Sequence, residues 1–66
     1  MGWTIQYTDV SAREMTSHVI EDKDAAVRYA HDLERHPNYA TVTKIVHADG
    51  RKITKPELTE LWKRLL

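Results

Sequence analysis

Apolar and polar side chains alternate from the start of the chain. Trp3, Ile5 and Tyr7 are each separated by one polar residue, which is the period of a strand with one buried face. Residues 9–12 predict a turn. Residues 15–20 are expected to return as a second strand, with a less regular alternation. The chain therefore opens with a predicted β-hairpin.

A helix is predicted next. Asp22 can cap its N-terminus, where an acidic side chain is favoured. The apolar stripe of this helix follows the i, i+3, i+4, i+7 spacing and consists of Ala26, Tyr29, Ala30 and Leu33. Arg35 and His36 are expected in the last turn, and Pro37 is expected to end the helix.

A second hairpin and a second helix follow. Residues 39–47 are rich in β-formers, and Asp49-Gly50 predicts a type I′ turn, which needs positive φ at both residues. Residues 51–53 would form a short fourth strand. Thr54 is expected to cap the last helix, with Glu57 completing a capping box. The apolar stripe of this helix consists of Leu58, Leu61, Trp62 and Leu65.

The predicted element order is β-β-α-β-β-α. A right-handed crossover through the first helix makes the third strand parallel to the second and antiparallel to the first. We therefore expect one α+β domain spanning residues 1–66, with two helices and an antiparallel sheet of three to four strands in the order 2-1-3-4. The second helix either joins the first on one face of the sheet or packs on a partner chain. The predicted core comprises Trp3, Ile5, Tyr7, Val19, Ala26, Ala30, Leu33, Val42, Ile45, Leu58, Leu61, Trp62 and Leu65.

Composition narrows the class of protein. The chain has 66 residues and no cysteine, which excludes disulfides, thiolate metal sites and cysteine nucleophiles and suits a cytoplasmic location. No apolar run approaches the roughly 18 residues of a membrane helix, and no secretory signal is visible. A chain this short without disulfides is near the lower limit of independent stability, which favours a homodimer.

Charge is balanced overall but unevenly distributed. The formal net charge is zero. Residues 1–34 carry seven acidic and three basic side chains, and residues 35–66 carry seven basic and three acidic ones. The halves are therefore about −4 and +4, which either neutralise each other in the folded chain or create one face that attracts polyanions.

No catalytic or metal-binding motif is apparent. His31 and His36 are five residues apart, which is the wrong spacing for one helix face, and His18 and His47 are expected on separate strands. Gly2 and Gly50 are the only glycines, so a glycine-rich phosphate loop is absent. We therefore predict a non-enzymatic protein without a metal ion or cofactor.

One family resemblance is present in the second half of the chain. Arg35-His36-Pro37, a strand, then His47-Ala48-Asp49-Gly50 and a helix with a Thr-x-x-Glu start resemble the pterin-4a-carbinolamine dehydratases, which have a His-His-Pro motif, a strand, a Thr-His pair and a final helix. Here Arg35 replaces the first histidine and Val46 replaces the threonine. The resemblance makes a pterin-dehydratase-like enzyme a remote alternative, testable only at His36 and His47.

The residues favour two possible functions. The first is a protein-interaction module (an adaptor, a regulator or a phage-encoded inhibitor) that binds a protein or a second copy through the apolar end of the last helix. Its predicted interface consists of Leu58, Trp62, Leu65 and Leu66, because tryptophan is favoured at binding hot spots. The second is a nucleic-acid-binding domain in which the basic second hairpin follows phosphates. Its predicted binding residues are Lys44, Arg51, Lys52 and Lys55.

Overall fold

The computed structural model describes residues 2–66 and shows an α+β fold, with a four-stranded antiparallel sheet and two helices. The elements are β1 (Trp3–Thr8), β2 (Glu14–Thr16), α1 (Lys23–Leu33), β3 (Thr41–His47), β4 (Lys52–Thr54) and α2 (Lys55–Leu65). The sheet order β2-β1-β3-β4 is the predicted one. Among the described residues, no helix is long and apolar enough to cross a membrane.

Both helices lie on the same face of the sheet. The buried residues of β1, β3 and β4 share one core with buried residues of α1 and α2. The members of this core are Trp3, Ile5, Ala26, Val27, Ala30, Leu33, Ala40, Val42, Ile45, Ile53 and Leu58. The sequence left open whether the second helix joins the first or packs on a partner chain. In the structure, α2 packs within its own chain.

Helix α1 presents a slightly different side to the sheet from the predicted one. Ala26, Val27, Ala30 and Leu33 are buried. Tyr29 is 36% exposed, and its ring contacts His18 edge-to-face. The predicted cap is confirmed, since Asp22 accepts a hydrogen bond from the Ala25 amide at 2.9 Å.

The predicted end of α1 is wrong. The helix stops at Leu33, before Pro37, and Glu34 is its C-cap. The amides of Glu34 and Arg35 donate to carbonyls three residues earlier, which tightens and closes the last turn. The side chain of Glu34 turns instead to the next strand, where it accepts a hydrogen bond from the Val42 amide at 2.8 Å.

The return strand is shorter than predicted, and the place of Val19 in the core was predicted wrongly. Strand β2 ends at Thr16, and the hydroxyl of Ser17 accepts the hydrogen bond of the Ile5 amide at 2.9 Å. A side chain thus occupies a position that a strand carbonyl would fill. The alternation is lost there, and Val19 is 55% exposed.

Two turn predictions are corrected. Thr54 is the N-cap of α2, but its side chain makes no capping hydrogen bond, so the predicted capping box does not form. In the second hairpin the His47 amide donates to Arg51, and the Gly50 amide donates to His47. This is a three-residue loop in which only Gly50 has positive φ, at 98°, rather than a two-residue type I′ turn.

Candidate functional site: the open face of the sheet

The face of the sheet opposite the helices is uncovered. The strand register places eleven side chains on it, which we call the open face. They are Thr4, Gln6, Thr8, Glu14, Thr16, Thr41, Thr43, Lys44, Val46, Lys52 and Thr54, and all are half-buried or exposed. Six of the eleven are threonines, so the face offers hydroxyl groups and methyl groups on a rigid frame.

A bulge interrupts this face at its centre. Gln6 is opposite Lys44 and Tyr7 is opposite Val42, so Thr43 is the extra residue on β3. The hydroxyl of Thr43 donates to the Gln6 carbonyl at 2.8 Å, which fixes the bulged residue. Bulges re-aim side chains and increase local twist.

An open recess of about 270 Å³ lies between the bulge and β2. Its lining residues are Gln6, Tyr7, Thr8, Glu14, Met15, Thr16 and Thr43. Most of them carry hydroxyl, amide or carboxylate oxygens, and all of those oxygens can accept hydrogen bonds. The hydroxyl and amide groups can also donate, but the carboxylate of Glu14 only accepts, and it favours a cationic hydrogen-bond donor in the recess.

The charges of the open face are segregated across the strands. Lys44 and Lys52 lie on β3 and β4, and Glu14 lies on β2 at the opposite side. Within residues 2–66, none of the three forms an ion pair. The charge asymmetry of the two half-chains thus survives on this face as a positive side and a negative side.

The predicted basic cluster does not form as one group. Lys55 pairs with the Glu34 carboxylate and donates to the Val42 carbonyl at 3.2 Å, on the helix side of the sheet. Arg51 pairs with Asp49 at 2.8 Å and lies over the Trp3 ring. Only Lys44 and Lys52 share the open face.

Asp49 is the centre of a small polar cluster at the second hairpin. A hydrogen bond from the Arg51 backbone amide is the largest cause that lowers the pKa of the Asp49 carboxyl. Desolvation is the second-largest effect and raises this pKa, whereas His47 and the Arg51 guanidinium lower it. His47 Nδ1 lies 2.9 Å from Asp49 Oδ1 and 3.1 Å from the Asp49 amide nitrogen. The cluster holds Arg51 beside Trp3, so the Arg51 guanidinium is bound by groups of the chain itself.

The apolar interface predicted on α2 is largely used inside the chain. Leu58 is 0% exposed and cannot contact a partner in this structure. Trp62 and Leu65 are half-buried against the core. Leu66 is 62% exposed and is the only member of the predicted set that stands free of the core.

The two histidines of the family resemblance do not meet. His36 is exposed beside Tyr39, and His47 is packed edge-to-face on Trp3. His36 precedes β3, and His47 is the last residue of this strand, which is about 20 Å long for seven residues. Within residues 2–66, no group of three potential metal-ligating side chains is present.

Of the open face, the sequence singled out Lys44 and Lys52 as binding residues, but not the polar side chains of β1 and β2. The signal was present, because threonine and glutamine occupy the polar positions of β1, and Thr41 and Thr43 begin β3. The bulge at Thr43 gave no signal, since it depends on the register between strands that are far apart in the chain.

Comparison of the chain with protein-family models, with curated proteins and with solved structures finds no match.

Proposed function

We propose that this protein is a non-catalytic interaction module whose binding surface is the open face of the sheet. The observation that carries the proposal is that a rigid four-stranded sheet is covered on one face only. The uncovered face combines hydrogen-bonding side chains, a recess and charges without an intramolecular partner in the described chain. The absence of cysteine supports placing the protein in the cytoplasm.

The other surfaces support the proposal by being less suited to binding. The apolar stripe of α2 packs against the core of its own chain. The edge strands β2 and β4 have three residues each, and short edges offer little backbone for strand addition. We therefore propose the sheet as the binding surface and not the last helix, which the sequence predicted.

Nucleic acid is the second candidate partner, favoured by one observation. Lys44 and Lys52 project from neighbouring strands on the same face, and threonine hydroxyls lie around them. Lysines and hydroxyl groups commonly contact phosphate oxygens. The neutral net charge makes this candidate secondary, because nucleic-acid-binding domains usually carry a positive excess.

Site-specific cross-linking in the source cell tests the proposal and captures the partner whatever its identity. A photoreactive amino acid replaces Thr41 or Thr16 on the open face, and Arg28 or Thr59 on the helix layer as matched controls. All four side chains are exposed. We expect discrete adducts of defined mass from the two open-face positions and none from the controls.

The adducts also report the class of partner. A species of twice the chain mass indicates a second copy, a larger protease-sensitive species indicates another protein, and a nuclease-sensitive species indicates nucleic acid. Adducts from the helix layer alone, or no adducts from the open face, would overturn the proposal.

A further inference from the structure

We propose that a second copy of this chain occupies the open face, with the Lys44 ammonium of each copy entering the recess beside Glu14 of the other. This inference rests on the proposed function and names its partner. Two observations carry it: the opposite charges on the two sides of the face, and the acceptor-lined recess next to the negative side.

A two-fold axis parallel to the strands satisfies both observations. Two sheets pack face to face about 10 Å apart with their strands nearly aligned. Rotation about an axis that runs between the sheets, parallel to the strands, reverses the strand order. The β3–β4 side of one copy then lies over the β1–β2 side of the other, and the contact is self-complementary, as two-fold interfaces require.

The register brings Lys44 to the recess. Lys44 is opposite Gln6, and Gln6 is opposite Thr16, so the three residues lie at one level across the sheet. After the rotation, Lys44 of one copy lies over β1 of the other at this level. It is about 5 Å, one strand spacing, from β2. Glu14 is two residues from Thr16 along β2, a distance of about 7 Å. The flexible Lys44 side chain can slant along the strands and so deliver its ammonium to the oxygens around Glu14.

The alternative face-to-face arrangement is unfavourable. An axis in the plane of the face and perpendicular to the strands would place β3 and β4 of one copy over β3 and β4 of the other. The lysines of both copies would then share one side of the contact, and both Glu14 carboxylates would lie on the other side. Like charges that meet in an interface are disfavoured. The charge pattern therefore selects one orientation. Val46 and the threonine methyl groups contribute the apolar part of the contact.

Charge-reversal variants of the full chain test this arrangement in sedimentation experiments. We expect the wild type to reach twice the 7.7 kDa of one chain. Glu14→Lys and Lys44→Glu should each weaken self-association by about tenfold or more. Mixing the two variants should restore the dimer, because each heterodimer contains both ion pairs again. Lys23→Glu and Glu57→Lys on the helix layer are the matched controls and should not change the mass.

Three results would overturn the inference. They are a wild type that stays at 7.7 kDa at every concentration, a dimer that tolerates both reversals, and a mixture no heavier than its components. Circular dichroism checks that each variant is folded. A monomeric wild type that still cross-links from Thr41 and Thr16 to another protein or to nucleic acid overturns the dimer alone. Loss of those cross-links overturns the proposed function as well.

Discussion

The indole Nε1 of Trp62 donates a hydrogen bond to the backbone carbonyl of Val27 at 2.8 Å. This bond joins the last turns of α2 to the middle of α1 within one chain. The ring also contacts His31 edge-to-face and lies near the Lys55 ammonium. Trp62 therefore links the two helices, although tryptophan is a residue type that suggests an exposed binding hot spot.

Replacement of Trp62 should reduce stability without changing the oligomeric mass. Trp62→Phe removes the hydrogen bond to Val27 and part of the ring, and we expect a loss of about 1–2 kcal/mol in the free energy of unfolding. Trp62→Ala should cost about 3 kcal/mol. Urea denaturation and light scattering measure the two quantities. A change in mass with undiminished stability would restore Trp62 as an interface residue.

Glu34 should be a stability residue through its role as an acceptor. Its carboxylate accepts hydrogen bonds from the Val42 amide and the Lys55 ammonium, and so it links the end of α1 to β3 and α2. Glu34→Ala leaves a partly buried amide without this acceptor and should cost about 2 kcal/mol. Glu34→Gln keeps an acceptor oxygen and should cost less. Equal losses for both variants in urea denaturation would contradict this account.

The Asp49 cluster predicts a defined pH dependence. The pKa of Asp49 is lower in the folded chain than the ordinary value of about 4 in the unfolded one. The unfolded state therefore takes up its proton first as the pH falls. The stability that the cluster contributes is present above about pH 4 and is lost as the pH falls through the folded pKa.

Asp49→Asn removes this contribution. The difference in unfolding free energy between wild type and Asp49→Asn should be small, because the side chain is exposed, and should shrink below about pH 4. Titration of the Asp49 carboxyl by NMR gives the direct measurement. A midpoint at or above the ordinary aspartate value would contradict the structure of the cluster.

Binding of nucleic acid by the open face would depend on Lys44 and Lys52. Two phosphate contacts predict that the logarithm of affinity falls with the logarithm of salt concentration with a slope of about −2. Lys44→Glu combined with Lys52→Glu should abolish this slope in a fluorescence titration with duplex DNA. Arg51→Glu should leave the slope unchanged, because Asp49 already holds that guanidinium. The reverse pattern would place the phosphates on the hairpin loop.

The fold was predictable wherever local chemistry agrees with tertiary packing. Alternation at Trp3, Ile5 and Tyr7 and the cap at Asp22 were sufficient to place β1 and the start of α1. The handedness of the crossover gave the direction of the third strand, and the simplest sheet with that strand beside the first gave the strand order. The cap at Thr54 failed, because a side chain can form such a bond only if the backbone turns it towards the helix, and sequence does not show that.

The candidate site was less predictable, because it depends on which surfaces of the sheet and helices are covered in the folded chain. Leu58 and Trp62 are equally compatible with a core and with an interface, and only the packing of α2 on α1 decides between them. Lys55 belongs to the basic cluster in sequence but points away from it, since α2 begins directly after β4 and carries Lys55 to the side of Glu34. The open face could be recognised only from the structure, which shows that both helices cover the opposite face of the sheet.

Lysine acylation in intact source cells, compared with the purified protein at high dilution, shows whether a partner covers the open face. The rate at each lysine is read by mass spectrometry, and no substitution is needed. If a partner covers the open face, Lys44 and Lys52 are acylated more slowly in cells than at high dilution, while Lys23 and Lys63 on the helix layer react at the same rate in both. Equal rates at Lys44 and Lys52 in the two settings, or protection confined to Lys23 and Lys63, would contradict the assignment of the open face as the binding surface.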